Sequence, residues 1–320
     1  MRGLESWLNG IWYGGKKPPV TLKALAGLYG LLLQCRKPVS TDSLGAPVII
    51  VGNFTAGGTG KTPLIIALVA RLMASGFRPG VVSRGYGRKS KQPSSVDAAS
   101  NPDDGGDEPV LIAKRTQVPI RVDVDRRRAA RYLIAQGCNV IVSDDGLQHR
   151  ALPRTLEIEV FDSQRGYGNG RLLPAGPLRE PLRPADVRVG NGLPGDQDQA
   201  FAMHLQMTQC YHLNSGELKA LDAFRGKTVQ AVAGIGNPQR FFNALAEHGL
   251  TVQEHPFPDH HRFTLADLPE QGPVLMPEKD AVKCLGIIRD DVWVVPVDAV
   301  LSEAFMELIS SRLVETKGLT

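Results

Sequence analysis

The chain is short of cysteine, of long apolar runs, of any fixed repeat and of a broadly basic surface, and each shortage excludes something. Its 320 residues include 4 cysteines, Cys35, Cys138, Cys210 and Cys284. None forms a CxxC pair or joins histidines at metal-ligand spacing. That argues against a disulfide framework or a structural zinc site and suits a reducing compartment. Between Lys23 and Arg36 lie 12 uncharged residues, Ala24 to Cys35, where a membrane-spanning helix needs about 20. The basic region ahead of this stretch is long for a signal peptide. Without a repeat of fixed period, solenoids and propellers fall away. The formal charge of +4 is also unevenly spread: residues 1–37 carry a net +5 and the remainder −1. A general nucleic-acid surface is therefore not expected, and the anionic partner belongs to the N-terminal segment.

What is present is an ordinary globular mixture, 42% hydrophobic and 22% charged, with 34 Gly and 23 Pro. At about 100–200 residues per domain, the length fits one large or two modest domains. In the N-terminal segment Leu22, Leu25, Leu28 (or Tyr29) and Leu32 fall at helical spacing, with Trp7, Trp12 and Tyr13 nearby. Basic flanks, aromatics at headgroup level and an apolar stripe describe a helix lying on an anionic membrane surface. The plainer alternative is a helix packed on its own domain.

Pro47 to Val51 reads as a fully buried strand, running through a glycine-rich turn into an apolar helix from Pro63 to Ser75. Further strands are expected at 81–83, 118–122, 139–143 and 156–162, with helices from about Glu108 to Lys114 and from Arg126 to Gln136. Continuous apolar strands alternating with helices predict a doubly wound parallel sheet. Residues 88–107 and 166–195 read as loops. The segment 204–212 reads as an extended linker strand, and 228–248 as the strand–turn–helix that opens a second α/β unit.

The turn is Thr55-Ala56-Gly57-Gly58-Thr59-Gly60-Lys61-Thr62. Between strand and helix such a loop aims several backbone N–H groups and a helix N-terminus at one point, the requirement for holding a polyphosphate. Lys61 can reach the β- and γ-phosphates and the Thr62 hydroxyl can ligate Mg²⁺. The strict pattern asks for glycine where Thr55 stands, so this is a variant loop. Asp144-Asp145, at the end of a buried strand, supplies the acids that order Mg²⁺ in such enzymes. Two places offer a group to deprotonate an acceptor hydroxyl. Asp107-Glu108 sits at a loop-to-helix junction, where local sequence favours a helix cap over a base. Asp259-His260-His261 is either an oriented base or a polar surface turn.

Read in order, Val51–Pro63, Ser83-Arg-Gly-Tyr-Gly87, Gly106-Asp-Glu-Pro109, Asp144–Arg150, Leu173–Pro181, Phe257-Pro-Asp-His260 and Glu278–Lys283 resemble the lipid A 4′-kinase (tetraacyldisaccharide 4′-kinase) family. The resemblance implies transfer of the ATP γ-phosphate to the 4′-hydroxyl of a tetraacylated glucosamine disaccharide 1-phosphate, at the cytoplasmic face of a bacterial inner membrane. It implies two α/β domains joined by a small β linker, with the active site between them. On this chain Asp107 becomes the catalytic base and His260 its partner, reversing the local preference for a cap. Lys61 and Thr62 hold phosphate and Mg²⁺, and Asp144, Asp145 and Glu180 become acids of the metal region. Arg84 and Arg126-Arg127-Arg128 become phosphate contacts, unless that cluster is a solvated helix face. Two positions depart from the family pattern: Leu147, where an aromatic is usual, and Met276-Pro277, where threonine is usual. Neither removes one of these chemical groups.

The expected organisation is therefore a basic membrane segment (1–37), a nucleotide domain (38–200) and a smaller α/β domain (201–320) whose last helix packs back on the first. ATP and Mg²⁺ are the expected cofactors, and no obligate protein partner is evident. A switch ATPase or GTPase is the competing function, but such proteins carry an additional lysine where Ala56 stands. A dinucleotide site at Gly234-Ile-Gly236 lacks its third glycine, since Gln239 stands there.

Overall fold

A computed structural model describes residues 2–35, 39–40, 42–196, 200–284 and 286–317. Arg36 and Lys37, part of the expected basic segment, lie outside the described residues. Two helices come first, α1 (Arg2–Trp12) and α2 (Val20–Gln34). The chain then alternates through β1 (Val48–Gly52), α3 (Lys61–Ala74), β2 (Pro79–Ser83), β3 (Ser94–Val96), α4 (Pro102–Gly105), α5 (Asp107–Thr116), β4 (Ile120–Val122), α6 (Arg126–Ala135), β5 (Val140–Ser143), β6 (Leu156–Asp162), β7 (Val187–Asn191) and β8 (Phe201–Gln206). A second run follows: β9 (Gln209–His212), β10 (Leu218–Ala220), β11 (Thr228–Ala233), α7 (Pro238–Glu247), β12 (Thr251–Pro256), β13 (Val274–Pro277), α8 (Glu278–Ala281) and β14 (Val292–Val295). The chain closes with β15 (Asp298–Leu301) and α9 (Glu303–Lys317).

The first sheet has the order β15-β8-β7-β6-β1-β5-β2-β4-β3. Strands β8 to β4 in this order run parallel, and β15 and β3 are antiparallel edges. The unbroken apolar run of β1 is explained by burial on both faces. Ile49 and Val51 join the core formed with α3, α5 and α9, while Val48 and Ile50 join the core formed with α6. Leu147, at the family's aromatic position, is fully buried, and a Cβ at Gly52 would lie 2.7 Å from its Cγ. The smaller side chain fits where strand and turn press together.

The second sheet has the order β10-β9-β14-β13-β11-β12 and a core of its own around Phe241, Phe242, Leu245 and Trp293. Three local expectations change. The stretch 88–107 holds β3 and α4, and 166–195 holds β7, a parallel strand hidden between proline- and glycine-rich segments. The single strand expected over 204–212 is two: β8 belongs to the first sheet and β9 to the second. Thus β8 carries the first sheet past residue 200, and β15 and α9 return to it, with Phe305, Ile309 and Leu313 in the first core.

No helix among the described residues is long and apolar enough to cross a membrane. Helix α2 has two faces. Ala26 and Leu33 are buried, Gly30 approaches Leu172, and the Tyr29 hydroxyl donates to the Arg179 carbonyl at 2.7 Å. Val20, Leu25, Leu28, Leu31 and Leu32 are exposed. The expected stripe is thus split, with Leu25, Leu28 and Leu32 outward and Tyr29 inward. Trp12 is not a free anchor: its indole Nε1 donates to the Pro174 carbonyl at 3.0 Å, whereas Trp7 is exposed.

Candidate functional site

The C-terminal ends of β1, β5 and β2 meet at the middle of the first sheet, the usual ligand position in parallel sheets. From β1 the chain enters the glycine-rich loop, and Asn53, 1% exposed, organises it. Its Nδ2 donates to the carbonyls of Thr55 (2.6 Å) and Gly57 (3.3 Å). Its Oδ1 accepts from Lys61 Nζ (3.0 Å) and Arg179 Nη1 (3.1 Å). Gly57 (φ 112°) and Gly60 (φ 96°) take left-handed conformations that other residues adopt at a cost. A Cβ at Gly57 or Gly58 would meet nothing within 4 Å, so the loop opens onto free space. The N–H groups of Gly57 to Gly60 find no protein acceptor among the described residues. That is a cradle of unused donors at the start of α3, suited to phosphate oxygens. Thr55 and Thr59 are buried and Ala56 is half-buried, its N–H donating to the Pro177 carbonyl at 2.7 Å. Thr62 is half-buried in the first turn of α3.

The two acids after β5 have opposite electrostatics. Asp144 is 2% exposed, and its Oδ2 accepts from Ser83 Oγ at 2.9 Å. Burial, then the neighbouring charges of Glu108 and Asp145, push its pKa up to about 7. Asp145 also loses solvation, but Lys61 and Arg179 outweigh this and hold its pKa well below the usual carboxylate range. Arg179 grips it with two hydrogen bonds, 2.7 and 2.9 Å, and Lys61 Nζ stands 3.6 Å away. Arg126, 5% exposed, donates to the Asp145 carbonyl at 2.8 Å.

Whether Mg²⁺ fits can be judged from these groups. No cluster of three acidic, histidine or cysteine ligands exists among the described residues, so an all-protein cage is absent. Mg²⁺ at nucleotide sites uses one or two carboxylates, with phosphate oxygens and water completing the octahedron. Asp144 Oδ1 is buried without a hydrogen-bond partner, and an orphaned carboxylate oxygen of this kind fits that role. Glu180 is placed differently. It is 2% exposed and accepts from Gln148 Nε2 at 3.0 Å; the same Nε2 is 3.1 Å from the Asn53 carbonyl. The contacts of Glu180 therefore support the base of the loop.

Asp107 begins α5, but its carboxylate does not cap that helix. The cap position is Gly106, and Asp107 Oδ2 lies 2.8 Å from His260 Nδ1. This bond joins the first sheet to the turn after β12. His260 (φ 60°) and Asp145 (φ 49°) hold left-handed backbone conformations, which non-glycine residues keep where surrounding contacts enforce them. Tyr86 lies against the imidazole, with ring centroids 5.2 Å apart. Lys279 Nζ stands 3.1 Å from Glu108 and 3.5 Å from Asp259. Burial disfavours its charge, but Glu108 and then Asp259 outweigh burial and raise its pKa above the usual lysine value. A cavity of about 280 Å³ borders the pair, lined by Gly87, Asp107, His260, Arg262 and Lys283 among others.

The structure thus groups Lys61 with Asp145, beside Asp144, at the end of β5, and separately pairs Asp107 with His260. The arginine cluster separates. Only Arg126 reaches the site; Arg127 pairs with Asp42 (2.5 Å) and Arg128 with Asp123 (2.7 Å). Arg84 is exposed, and its charge is felt by Arg126. Sequence reasoning missed Asn53, Arg179 and Lys279. Each lies inside a motif block, but no local pattern announces a side chain whose partner is distant in sequence.

A family model for tetraacyldisaccharide-1-P 4′-kinase matches residues 19–314. A tetraacyldisaccharide 4′-kinase of Stenotrophomonas maltophilia is 48% identical, over 94% of this chain and 95% of that protein. One from Nitrosococcus oceani is 46% identical, over 98% and 96%. A crystal structure of LpxK from Aquifex aeolicus in complex with ATP superposes with a TM-score of 0.73 at 30% identity, covering 92% of this chain and 98% of the other.

Proposed function

We propose a division of labour between the two walls of the cleft on one premise: this chain belongs to the tetraacyldisaccharide 4′-kinase family. It is an ATP-dependent kinase of lipid A biosynthesis, and the switch ATPase reading is set aside.

The loop from Thr55 to Thr62 binds the ATP polyphosphate through its unused N–H groups. Lys61 neutralises charge at the β- and γ-phosphates, where charge builds in transfer. Thr62 and Asp144 would hold Mg²⁺, which when bound would neutralise phosphate charge. Asp145 has a different task. Clasped by Arg179 and facing Lys61, it keeps both cations in place. On the opposite wall Asp107 is the general base. His260 holds Oδ2, leaving Oδ1 to accept the proton of the 4′-hydroxyl as that oxygen attacks the γ-phosphate. The acyl chains of the disaccharide substrate stay in the membrane surface. Helix α2 meets that surface through its outward leucines, flanked by exposed Lys16, Lys17 and Lys23. The protein then acts peripherally at the cytoplasmic face.

The observation that carries this reading is the 2.8 Å Asp107–His260 bond, together with a glycine-rich loop whose N–H groups find no protein acceptor among the described residues. The test is transfer of labelled phosphate from ATP to tetraacyldisaccharide 1-phosphate in mixed micelles. Asp107→Ala should lower kcat about 10³-fold, the range for loss of a general base, while nucleotide affinity stays within about twofold. Small, equal losses in both would return Asp107 to a structural role. Phosphate release without labelled lipid would overturn the kinase assignment.

A further inference from the structure

The phosphate loop has a support that originates in the second sheet. Asn191, the last residue of β7, is 1% exposed, and its Nδ2 donates to the Thr59 carbonyl at 3.0 Å. Its Oδ1 accepts from Arg240 Nη2 at 2.7 Å. Arg240 stands in the first turn of α7, and its Nη1 also reaches Asp162 Oδ2 at 3.3 Å. The fit beside the loop is close, since a Cβ at Gly60 would lie 2.7 Å from Asn191 Nδ2. The turn before α7 approaches the same loop: a Cβ at Gly236 would lie 3.7 Å from the Gly58 nitrogen.

Donor chemistry gives this chain of contacts a direction. A guanidinium has donors and no acceptor. Asn191 must therefore turn its oxygen to Arg240, which leaves its NH₂ for the Thr59 carbonyl. The peptide that follows is planar and trans. A Thr59 carbonyl held toward Asn191 sends the Gly60 N–H the opposite way, where no protein acceptor among the described residues meets it.

We propose that Arg240 is a positioning residue for phosphate transfer: acting through Asn191, it fixes the Thr59–Gly60 peptide and aims the Gly60 N–H at the nucleotide phosphates. The proposal deepens the nucleotide-site reading above and rests on it. It makes the loop responsive to the second sheet, because moving α7 removes the group that orients Asn191.

Asn191→Asp separates the parts. Aspartate keeps the shape and still pairs with Arg240, but it has no N–H for Thr59. Arg240→Ala leaves Asn191 free to turn over, and Arg240→Lys restores a donor-only partner. The readouts on the full-length chain are affinity for a non-hydrolysable ATP analogue with Mg²⁺, and KM for ATP and for lipid separately. Asn191→Asp and Arg240→Ala should each weaken nucleotide binding roughly tenfold, the scale of one lost hydrogen bond with its desolvation cost, and leave the lipid KM within about twofold. Arg240→Lys should recover most of the loss. The double variant Arg240→Ala/Asn191→Asp should be no worse than Asn191→Asp, since both act on one peptide. ATP affinity unchanged in Asn191→Asp, or additive losses in the double variant, overturns the proposal. So does an equal loss of ATP and lipid affinity with a lowered Tm, the mark of a merely structural role. A wild-type chain that binds no ATP removes the nucleotide-site reading itself, whereas wild-type binding with an indifferent Asn191→Asp removes only this inference.

Discussion

The two walls of the cleft are built on different principles. On the phosphate wall Lys61, Arg179, Asp145, Asn53 and Arg126 brace one another through contacts of 2.7–3.6 Å, all within the loops and helix starts around the first sheet. On the proposed acceptor side the contact from Asp107 to His260 joins residues 153 positions apart and links the first sheet's unit to the second's. On the phosphate side the charges are held by protein contacts alone, the kind of fixed environment that stabilises a transition state most. The Asp107–His260 pair depends wholly on where the second sheet sits. On the phosphate side that dependence reaches the Thr59–Gly60 peptide through Arg240 and Asn191 and leaves the charged network around Lys61 within the first unit. If Asp107 is the base proposed above, the pair it forms with His260 is assembled only where α5 meets the turn after β12.

The contrast is sharpened most by Lys61→Ala. In the proposed reading this lysine, held by Asn53 and Asp145, serves binding and transfer alike. Its loss should cost about 10²–10³ in kcat, as for removal of one transition-state donor, and about tenfold in nucleotide affinity. It also leaves Asp145 with one cation fewer. Steady-state kinetics with direct binding of an ATP analogue separates the two effects. A kcat defect with unchanged nucleotide affinity would break the contrast, because Lys61 would then resemble the acceptor wall.

The same asymmetry governs how much was legible in the sequence. The phosphate wall could be read because a buried strand, a glycine turn and a helix are contiguous and each obeys a local rule. Even Asp144 and Asp145 were placed by the end of an apolar run. The acceptor wall could not be read locally: Asp107 before Glu-Pro has the form of a helix cap, and only a residue far along the chain makes it something else. Resemblance to a family supplied that pairing. The fold followed the same division. β1, β5 and β6 declared themselves by burial on both faces, whereas β7 was hidden among prolines and glycines and the break between β8 and β9 falls within one extended run. Asn191 and Arg240 had no local signature, because their roles are defined by each other and by Thr59.

A second way to probe the phosphate wall is its pH dependence. Asp144 has its folded pKa raised by burial to about 7, while an unfolded aspartate titrates near 4. Between those values the folded state holds the extra proton. The stabilisation from this group is therefore complete below about pH 4 and is lost as pH rises through about 7. Asp145, with a depressed folded pKa, acts in the opposite sense, its contribution being lost only in more acid solution. Asp144→Asn, a neutral shape match, should abolish the first dependence. With Mg²⁺ chelated and no nucleotide, its Tm should exceed wild type by about 3 °C or more at pH 8, and the gap should close toward pH 5. A constant gap across that range would mean that Asp144 stays ionised, and that the wall is less desolvated than its burial implies.

The smallest expected effect concerns what stands behind the phosphate wall. The Tyr29 hydroxyl of α2 bonds the carbonyl of Arg179, whose guanidinium clasps Asp145, so the inward face of α2 belongs to the same braced structure. The outward face does not. Leu25 and Leu28 are 52% and 57% exposed, and neither joins a hydrophobic core cluster among the described residues. Each buried leucine is worth about 1.5–3 kcal/mol when fully desolvated, and shallow interfacial insertion realises a fraction of that. Leu25→Glu/Leu28→Glu should therefore weaken binding to anionic vesicles by about tenfold or more and raise the apparent KM for micellar lipid. Nucleotide affinity and Tm should stay near wild type, because neither side chain touches the braced network. Tyr29→Phe makes the converse change. It removes the tie to Arg179 and leaves the outward face intact, so it should lower nucleotide affinity by a few-fold with vesicle binding unchanged. If the double glutamate variant lost nucleotide affinity while still binding vesicles, the outward leucines would be packing against protein as part of the braced structure.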